Sequence, residues 1–176
     1  MLHLRASSLA DTHAIAGKLA ALARTGDMIV LAGEMGAGKT AFAQGFGSAL
    51  GVVEPITSPT FTLVHSYELG RITLHHADIY RLGTRHEVAD LALAELAEND
   101  GIVLLEWGDV VLDSLGDYLL VRLDHLPDDT ANDTANDNSR ALSLTGNGKG
   151  WASRWERLAA SLATFAMPPV ASRERP

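Results

Sequence analysis

The chain has no cysteine among its 176 residues, so disulfide bonds and thiolate metal sites are excluded. It also lacks long apolar runs. The longest aliphatic stretches, residues 28–32 and 102–105, are far shorter than the roughly 20 residues that span a bilayer. No apolar stretch follows a basic head at the start of the chain, which predicts no signal peptide. These absences together predict a cytoplasmic protein without membrane contact.

Positive charge is also scarce. The chain carries 14 Lys and Arg residues against 22 Asp and Glu residues, a formal net charge of −8. An acidic protein repels nucleic-acid phosphates unless its basic residues cluster, and these residues do not cluster along the sequence. If the protein serves a nucleic acid, we therefore expect partner proteins to make most of that contact.

The apolar pattern predicts a single α/β domain over residues 1–166, long enough to bury a core without crosslinks. Two β-rich runs flank Gly70-Arg71 and predict an antiparallel hairpin, while parallel strands are expected around residues 28–50. The expected strands are residues 2–5, 28–32, 61–69, 72–80, 101–105, 118–126 and 140–144. The first expected helix begins with Asp11 or Thr12 as its cap and runs to about residue 24. Further helices are expected over residues 39–50, 84–97 and 151–166.

Two segments fall outside this pattern. Residues 128–139 read DDTANDTANDNS, a repetitive polar stretch without a large apolar residue, and predict a disordered loop insertion. Residues 167–176 predict a flexible tail.

The strongest motif is GEMGAGKT, residues 33–40, which matches the phosphate-loop pattern G-x-x-x-x-G-K-[ST]. Glycines allow the tight turn that brings backbone N–H groups to phosphate oxygens. Lys39 is expected to reach the β and γ phosphates, and Thr40 to give its hydroxyl to Mg²⁺. The predicted nucleotide-binding residues of this segment are Gly33, Glu34, Met35, Gly36, Ala37, Gly38, Lys39, Thr40 and Ala41.

The nucleotide is predicted to be ATP. Residues 36–41 also fit the dinucleotide pattern G-x-G-x-x-A, but that interpretation needs a second strand ending in an acidic residue about 20 residues on. The segment there, residues 51–55, is not strand-like, and the interpretation leaves Lys39 unexplained. A guanine-reading Asn-Lys-x-Asp segment is absent from the sequence.

Two carboxylates are candidates for holding Mg²⁺ or positioning the attacking water. Glu106 and Asp78 each end a β-like run, and ligands of parallel sheets bind at the carboxyl ends of strands. The sequence leaves open which carboxylate has which role. Hydroxyls at Ser58 and Thr60 could bond phosphate or Mg²⁺ as part of a phosphate-sensing connector, although a proline-fixed turn would also explain this segment.

The neighbouring histidines and tryptophan have simpler explanations. His75 and His76 are adjacent on an expected strand, so they point to opposite faces and are not expected to share one metal ion. A structural role is expected for both. Trp107 follows Glu106 and is of a type that more often packs than binds ligand.

Four segments, in this order and at these intervals, resemble the TsaE (YjeE) family, bacterial ATPases of tRNA threonylcarbamoyladenosine biosynthesis. The segments are GEMGAGKT (33–40), SPTFTLVHSYE (58–68), HADIYRL (76–82) and LLEWGD (104–109). The match spans roughly residues 9–109. It implies a P-loop nucleotide-hydrolase-like, three-layer fold with a mixed sheet.

The resemblance also implies roles for matched positions. Lys39, Asp78 and Glu106 would be the catalytic residues, with Thr40, Asp78 and Glu106 around Mg²⁺. Thr12 and Trp107 would lie near the nucleotide, and the stretch that contains Thr60 would be a switch-like loop.

The family's activity is ATP hydrolysis that supports turnover of TsaD and TsaB, which transfer a threonylcarbamoyl group to the adenosine beside the anticodon. The resemblance thus implies ATP and Mg²⁺ as ligands, TsaD and TsaB as partners that stimulate hydrolysis, and contact with tRNA only through them.

Two alternatives remain open at the level of sequence. A small-molecule or nucleoside kinase would share the phosphate loop, but such kinases usually bring an arginine-rich lid. Arg81 and Arg85 form the only close arginine pair near the expected site. A non-catalytic nucleotide-sensing module would order the connector without turnover.

Overall fold

A computed structural model describes residues 1–82, 85–126 and 139–167 of the chain. The elements follow in the order β1 (Leu2–Ala6), α1 (Leu9–Ala20), β2 (Met28–Ala32), α2 (Lys39–Leu50), β3 (Val64–Glu68), β4 (Thr73–Asp78), α3 (Arg85–Ala89), α4 (Leu93–Glu98), β5 (Gly101–Glu106), β6 (Tyr118–His125), β7 (Arg140–Asn147), α5 (Lys149–Ala152) and α6 (Trp155–Ser161). Short 3₁₀ turns lie at residues 108–110, 112–114 and 163–165. No helix within these ranges is long and apolar enough to cross a membrane.

The strands of the described ranges form one seven-stranded sheet in the order β1-β7-β6-β2-β5-β4-β3. Strand β2 is central and parallel to both β5 and β6, and β4 is parallel to β5. The pairs β3–β4, β6–β7 and β1–β7 are antiparallel. The predicted α/β class, the mixed sheet and the hairpin around Gly70-Arg71 are therefore confirmed.

The sheet is covered on both faces, because successive side chains of the buried central strand pack into two different cores. In β2, Ile29 and Leu31 join a core with α1, α2 and α6, whereas Met28 and Val30 join a second core with α3 and α4. Strand side chains alternate between the two faces, so a strand buried on both sides is apolar at every position. The expected three-layer arrangement is present.

Helices α1 and α2 cross at very small residues. A Cβ added at Gly45 would lie 2.6 Å from the Cα of His13, and one added at Gly17 would lie 3.4 Å from the Cβ of Ala49. Glycine is therefore required at Gly45 for this close approach. Because α2 begins at Lys39, directly after the glycine loop, the crossing also fixes where that loop lies.

Three predicted helices were placed wrongly at one or both ends. Helix α1 begins at Leu9, not at Asp11 or Thr12, because the Ser8 hydroxyl accepts the Asp11 N–H as the N-cap, and it ends at Ala20. The predicted helix 84–97 is two short helices, separated by Ala92 in a left-handed conformation with a φ of 49°. The break lets Val88 and Leu93 reach the same core. The proposed cap, Thr84, lies outside the described residues.

The predicted final helix, 151–166, is also interrupted. Helix α5 ends at Ala152 and α6 begins at Trp155. Between them the buried Arg154 guanidinium pairs with Asp27 and donates to the Leu22 carbonyl, which ties this turn to the end of α1. Apart from Ser139 and Met167, the predicted insertion 128–139 and tail 167–176 lie outside the described residues.

Candidate active site

The glycine loop between β2 and α2 adopts a conformation that depends on its glycines. Gly33, Gly36 and Gly38 have φ values of 136°, 77° and 104°, in the region that side chains with a Cβ rarely adopt. A Cβ at Gly33 would also overlap the carbonyl oxygen of Leu123 on β6. The loop therefore packs directly against the neighbouring strand and leads into α2 at Lys39, as the motif predicted.

Lys39 is buried against the loop that precedes it. Its Nζ donates to the carbonyl oxygens of Gly33 and Glu34, each at 2.8 Å, and lies 3.5 Å from the ring centroid of Trp107. Burial lowers the pKa of Lys39 below its ordinary value, and the negative charges of Glu106, Asp78 and Asp109 oppose that shift. The amine is held beside an acidic cluster by bonds that a phosphate oxygen could replace.

Trp107 has a geometry that explains its position over Lys39. Its backbone lies in the left-handed region with a φ of 66°, and its N–H donates to the Leu31 carbonyl of β2 at 2.9 Å. Its ring also contacts the Tyr80 ring, with centroids 4.9 Å apart. Backbone conformations of this kind are costly and tend to occur at functional sites.

Glu106 joins the phosphate-loop helix to the sheet. Its carboxylate accepts the Thr40 hydroxyl, with Oγ1 at 3.0 Å from Oε1 and 3.3 Å from Oε2. Its Oε1 lies 2.9 Å from Nε2 of His76, which is fully buried. Because both partners lie on elements of the core, the Glu106 carboxylate has a fixed position.

Asp78 is held by the connector between α2 and β3. Its Oδ2 accepts the hydroxyls of Ser58 at 2.5 Å and Thr60 at 2.9 Å, and its Oδ1 accepts the Tyr80 N–H at 2.9 Å. The two hydroxyls also lie 2.8 Å apart. Buried polar groups usually need such partners, and here three of them fix one carboxylate.

The parallel pairing of β4 and β5 brings the two carboxylates together. In that register Asp78 is the partner of Glu106, so both side chains leave the same edge of the sheet. They line a cleft of about 390 Å³. The lining residues are Met35, Gly36, Gly38, Lys39, Thr40, Ala41, Ser58, Thr60, Asp78, Tyr80, Arg81, Glu106 and Trp107.

Most of the predicted site residues line this cleft, and four do not. The exceptions are Gly33, Glu34 and Ala37, which belong to the loop, and Thr12, which lies in α1. Thr12 is buried and its hydroxyl donates to the Ser8 carbonyl at 3.4 Å. A contact between Thr12 and the nucleotide stays a prediction.

The sequence did not assign His76 or Arg140 to the site. The prediction that His75 and His76 face opposite sides is confirmed, since Nδ1 of His75 bonds the Ser66 hydroxyl whereas His76 bonds Glu106. His76 is two residues before Asp78, so the period of a strand could have placed both on one face. Arg140 contacts the loop from β7, and its sequence context gives no signal for that contact.

Comparison with known proteins identifies the family. The family model "Threonylcarbamoyl adenosine biosynthesis protein TsaE" matches residues 6–134. Proteins named tRNA threonylcarbamoyladenosine biosynthesis protein TsaE are 41% identical over 105 residues in Bacillus subtilis and 40% identical over 139 residues in Streptomyces coelicolor. The aligned stretches cover 60% and 77% of this chain, and 65% and 90% of those relatives.

A solved structure agrees with this match. The crystal structure of YdiB from Bacillus subtilis superposes with a TM-score of 0.70 at 30% sequence identity, covering 93% of this chain and 94% of YdiB. The family model spans most of the chain, including the phosphate loop and both strand-end carboxylates. The chain therefore belongs to the TsaE family of threonylcarbamoyl adenosine biosynthesis proteins.

Proposed function

We propose that the chain is a Mg²⁺-dependent ATPase that serves tRNA threonylcarbamoyladenosine biosynthesis by hydrolysing ATP to ADP and phosphate. One observation carries the proposal: a phosphate loop with a buried lysine shares a cleft with two carboxylates that the sheet register pairs. P-loop hydrolases rely on these parts. The protein does little covalent chemistry in such sites, because catalysis comes mainly from positioning and charge stabilisation.

The loop and Lys39 would bind the phosphates. Loop N–H groups and the start of α2 favour an anion, and the Lys39 amine is already aimed along the loop by its bonds to the Gly33 and Glu34 carbonyls. Exchanging these neutral acceptors for a charged phosphate oxygen strengthens the hydrogen bond. Phosphate binding would also relieve the cost that burial places on the ammonium.

Thr40, Glu106 and Asp78 would hold Mg²⁺, which neutralises phosphate charge when it is bound. The donor set fits this ion, since a buried carboxylate already contacts the threonine hydroxyl. Within the described residues, no group of three or more His, Asp or Glu side chains could hold a metal alone. That agrees with Mg²⁺ sites built from one or two carboxylates together with nucleotide phosphates.

We assign Glu106 mainly to the metal side and Asp78 mainly to the water. Glu106 contacts Thr40, the residue that holds the metal in such loops. Asp78 lies beside the connector hydroxyls of Ser58 and Thr60, where it can orient a water molecule towards the terminal phosphorus. The water oxygen bonds to that phosphorus as the bond to the ADP oxygen breaks, and the water proton passes to the released phosphate.

The proposed partners are TsaD and TsaB. Hydrolysis by this chain would support turnover of the threonylcarbamoyl transfer without carrying it out. The net charge of −8 supports binding of the tRNA by the partners, because an acidic chain repels tRNA phosphates.

The test is Mg²⁺-dependent ATP hydrolysis by the chain alone and with TsaD and TsaB. We expect stimulation by the partners, and Lys39→Ala to weaken ATP binding about tenfold to a hundredfold, since a charge-assisted bond contributes about 1.5–3 kcal/mol. Lys149→Ala, at an exposed lysine outside the cleft, is the matched control and should bind normally.

Other outcomes would favour the alternatives. Unchanged ATP affinity in Lys39→Ala would contradict the site assignment. Phosphate passed to a small acceptor, without stimulation by TsaD and TsaB, would indicate a kinase. Nucleotide binding without any hydrolysis, alone or with the partners, would indicate a sensing module.

A further inference from the structure

Arg140, the first residue of β7, contacts the phosphate loop from another part of the sheet. Its Nε donates to the Ala37 carbonyl at 2.9 Å, and its Nη2 donates to the Gly36 carbonyl at 3.3 Å. Strand β6 lies between β7 and the β2 strand that leads into the loop. Arg140 is only 9% exposed, and its bond to the Ala37 carbonyl is buried.

The bond to Ala37 fixes the direction of the next amide. A trans peptide is planar and its C=O and N–H groups point in opposite directions. Because the Ala37 carbonyl points to Arg140, the N–H of Gly38 points away from it, and Gly38 lines the cleft. The preceding amide is used differently, since the Ala37 N–H donates to the Glu34 carbonyl at 3.1 Å.

The Ala37 side chain is buried and its N–H bonds the Glu34 carbonyl, but neither contact involves the C=O and N–H groups of the Ala37–Gly38 peptide. Gly36 and Gly38 flank Ala37, and glycine populates both signs of φ with little steric cost. Rotation of the Ala37–Gly38 peptide would replace an N–H donor with a carbonyl oxygen on the cleft side. A carbonyl oxygen there would repel a phosphate, so the orientation of this peptide affects how strongly the loop attracts an anion.

We propose that Arg140 is a positioning residue that keeps the Gly38 N–H directed at the nucleotide phosphates. The inference rests on the proposed function, because it assumes that the cleft binds a nucleotide. Arginine suits this task because its planar fork places donors at two carbonyls at once, whereas a lysine ammonium acts as a single centre. Arg140 itself need not touch the nucleotide.

Arg154 provides a matched control elsewhere in the fold. It is also a buried arginine, 3% exposed, and its guanidinium likewise donates to backbone carbonyls, those of Leu22 and Gly150. Its carboxylate partner is Asp27, and none of these residues lines the cleft. Weakening Arg154 should therefore reduce stability without affecting the loop.

The experiment compares wild type, Arg140→Lys, Arg140→Met and Arg154→Lys. Titration calorimetry with Mg·ADP gives affinity, thermal unfolding gives stability, and the ¹H–¹⁵N resonance of Gly38 reports on the amide itself. We expect Arg140→Met to bind Mg·ADP about tenfold to a hundredfold more weakly and to lose the shift of the Gly38 amide on ADP addition. Arg140→Lys should fall between Arg140→Met and wild type. Arg154→Lys should unfold at a lower temperature but bind within about twofold of wild type.

The outcomes separate this inference from the proposed function. If Arg140→Met binds Mg·ADP like wild type and its Gly38 amide shifts on ADP addition as in wild type, the role of Arg140 is overturned and the proposed function is not. If Arg140→Met does not fold, Arg140→Lys gives the answer, because wild-type binding and a wild-type Gly38 shift in that variant would overturn the role equally. A wild-type chain that does not bind Mg·ADP would overturn the proposed function and this inference with it.

Discussion

Glu106 and Asp78 occupy paired positions on neighbouring strands and are equally buried, at 2% exposure each, yet their surroundings differ. Glu106 is bonded to α2 and to β4, through Thr40 and His76. Two of the three partners of Asp78, Ser58 and Thr60, lie on the connector, which has no regular secondary structure there. One half of the cleft is therefore held by core elements and the other by a loop.

The difference supports the proposed division of tasks between the carboxylates. A carboxylate bonded to a helix and a strand keeps its position, as metal binding requires. The position of a carboxylate bonded to a loop depends on the conformation of that loop. Loops of switch-type hydrolases are ordered by the terminal phosphate and released after hydrolysis.

The largest effect is expected from Glu106→Gln, which keeps the shape of the side chain and removes its charge. Without the charge at Thr40, the metal side of the cleft is lost, and we expect ATP hydrolysis to fall by about a hundredfold or more. Hydrolysis assays with a Mg²⁺ titration measure the loss and any rise in the Mg²⁺ concentration required. Hydrolysis that stays within about threefold of wild type would contradict the metal assignment.

Asp78→Asn should have the next largest effect, about a hundredfold on kcat, at the lower end of the range typical of a general acid–base group. Its Mg²⁺ requirement should change less than that of Glu106→Gln, because Glu106 and Thr40, which we place nearest to the metal, are unchanged. The same Mg²⁺ titration checks this. If Asp78→Asn shifts the Mg²⁺ requirement and Glu106→Gln does not, the two roles are reversed.

Thr60→Val should have a smaller effect, because it removes one of the bonds to Asp78 and leaves the carboxylate in place. A hydrogen bond to a charged group contributes about 1.5–3 kcal/mol, and the remaining Ser58 hydroxyl compensates in part. We expect kcat to fall about three- to tenfold with ADP affinity unchanged. Thr62→Val, at an exposed threonine two residues on, is the control and should leave kcat unchanged.

The smallest effect is expected at His75, which faces away from both carboxylates, and it concerns stability alone. Burial lowers the pKa of His75 below its ordinary value of 6.5. The unfolded chain therefore takes up a proton near pH 6.5 that the folded chain does not, and the free energy of unfolding falls as the pH drops below that value, by at most about 1.4 kcal/mol per pH unit.

His75→Gln should remove this dependence. Urea unfolding at pH 7.5 and about pH 5.5 measures it, and ATP hydrolysis at neutral pH should not change. An identical loss of stability on acidification in His75→Gln and wild type would show that another group is responsible.

The candidate active site could be predicted in large part because its signals are local. The glycine loop, Lys39 and the strand-end positions of Asp78 and Glu106 follow from motif and from where apolar runs end. Even the facing of His75 and His76 follows from the period of a strand. Parallel strands then bring such positions together without further information from the sequence.

What could not be predicted depends on contacts between distant segments. The 84–97 segment favours one helix by propensity, but the chain breaks at Ala92, with Val88 before the break and Leu93 after it packed into one core. The partnership of Arg140 with a loop 103 residues earlier requires the order of β7, β6 and β2, which no local pattern encodes. The cap at Ser8 was missed because two acceptable caps follow it closely.

The close crossing of α1 and α2 at Gly45 has a consequence for genetics. Any side chain there must push against the backbone of His13, and the helix that would move is the one that presents Lys39 and Thr40. A substitution far from the cleft would thus shift the glycine loop slightly, and the shift should grow as higher temperature loosens the packing. Screens for heat-sensitive alleles should accordingly recover substitutions at Gly45, although this residue does not line the cleft.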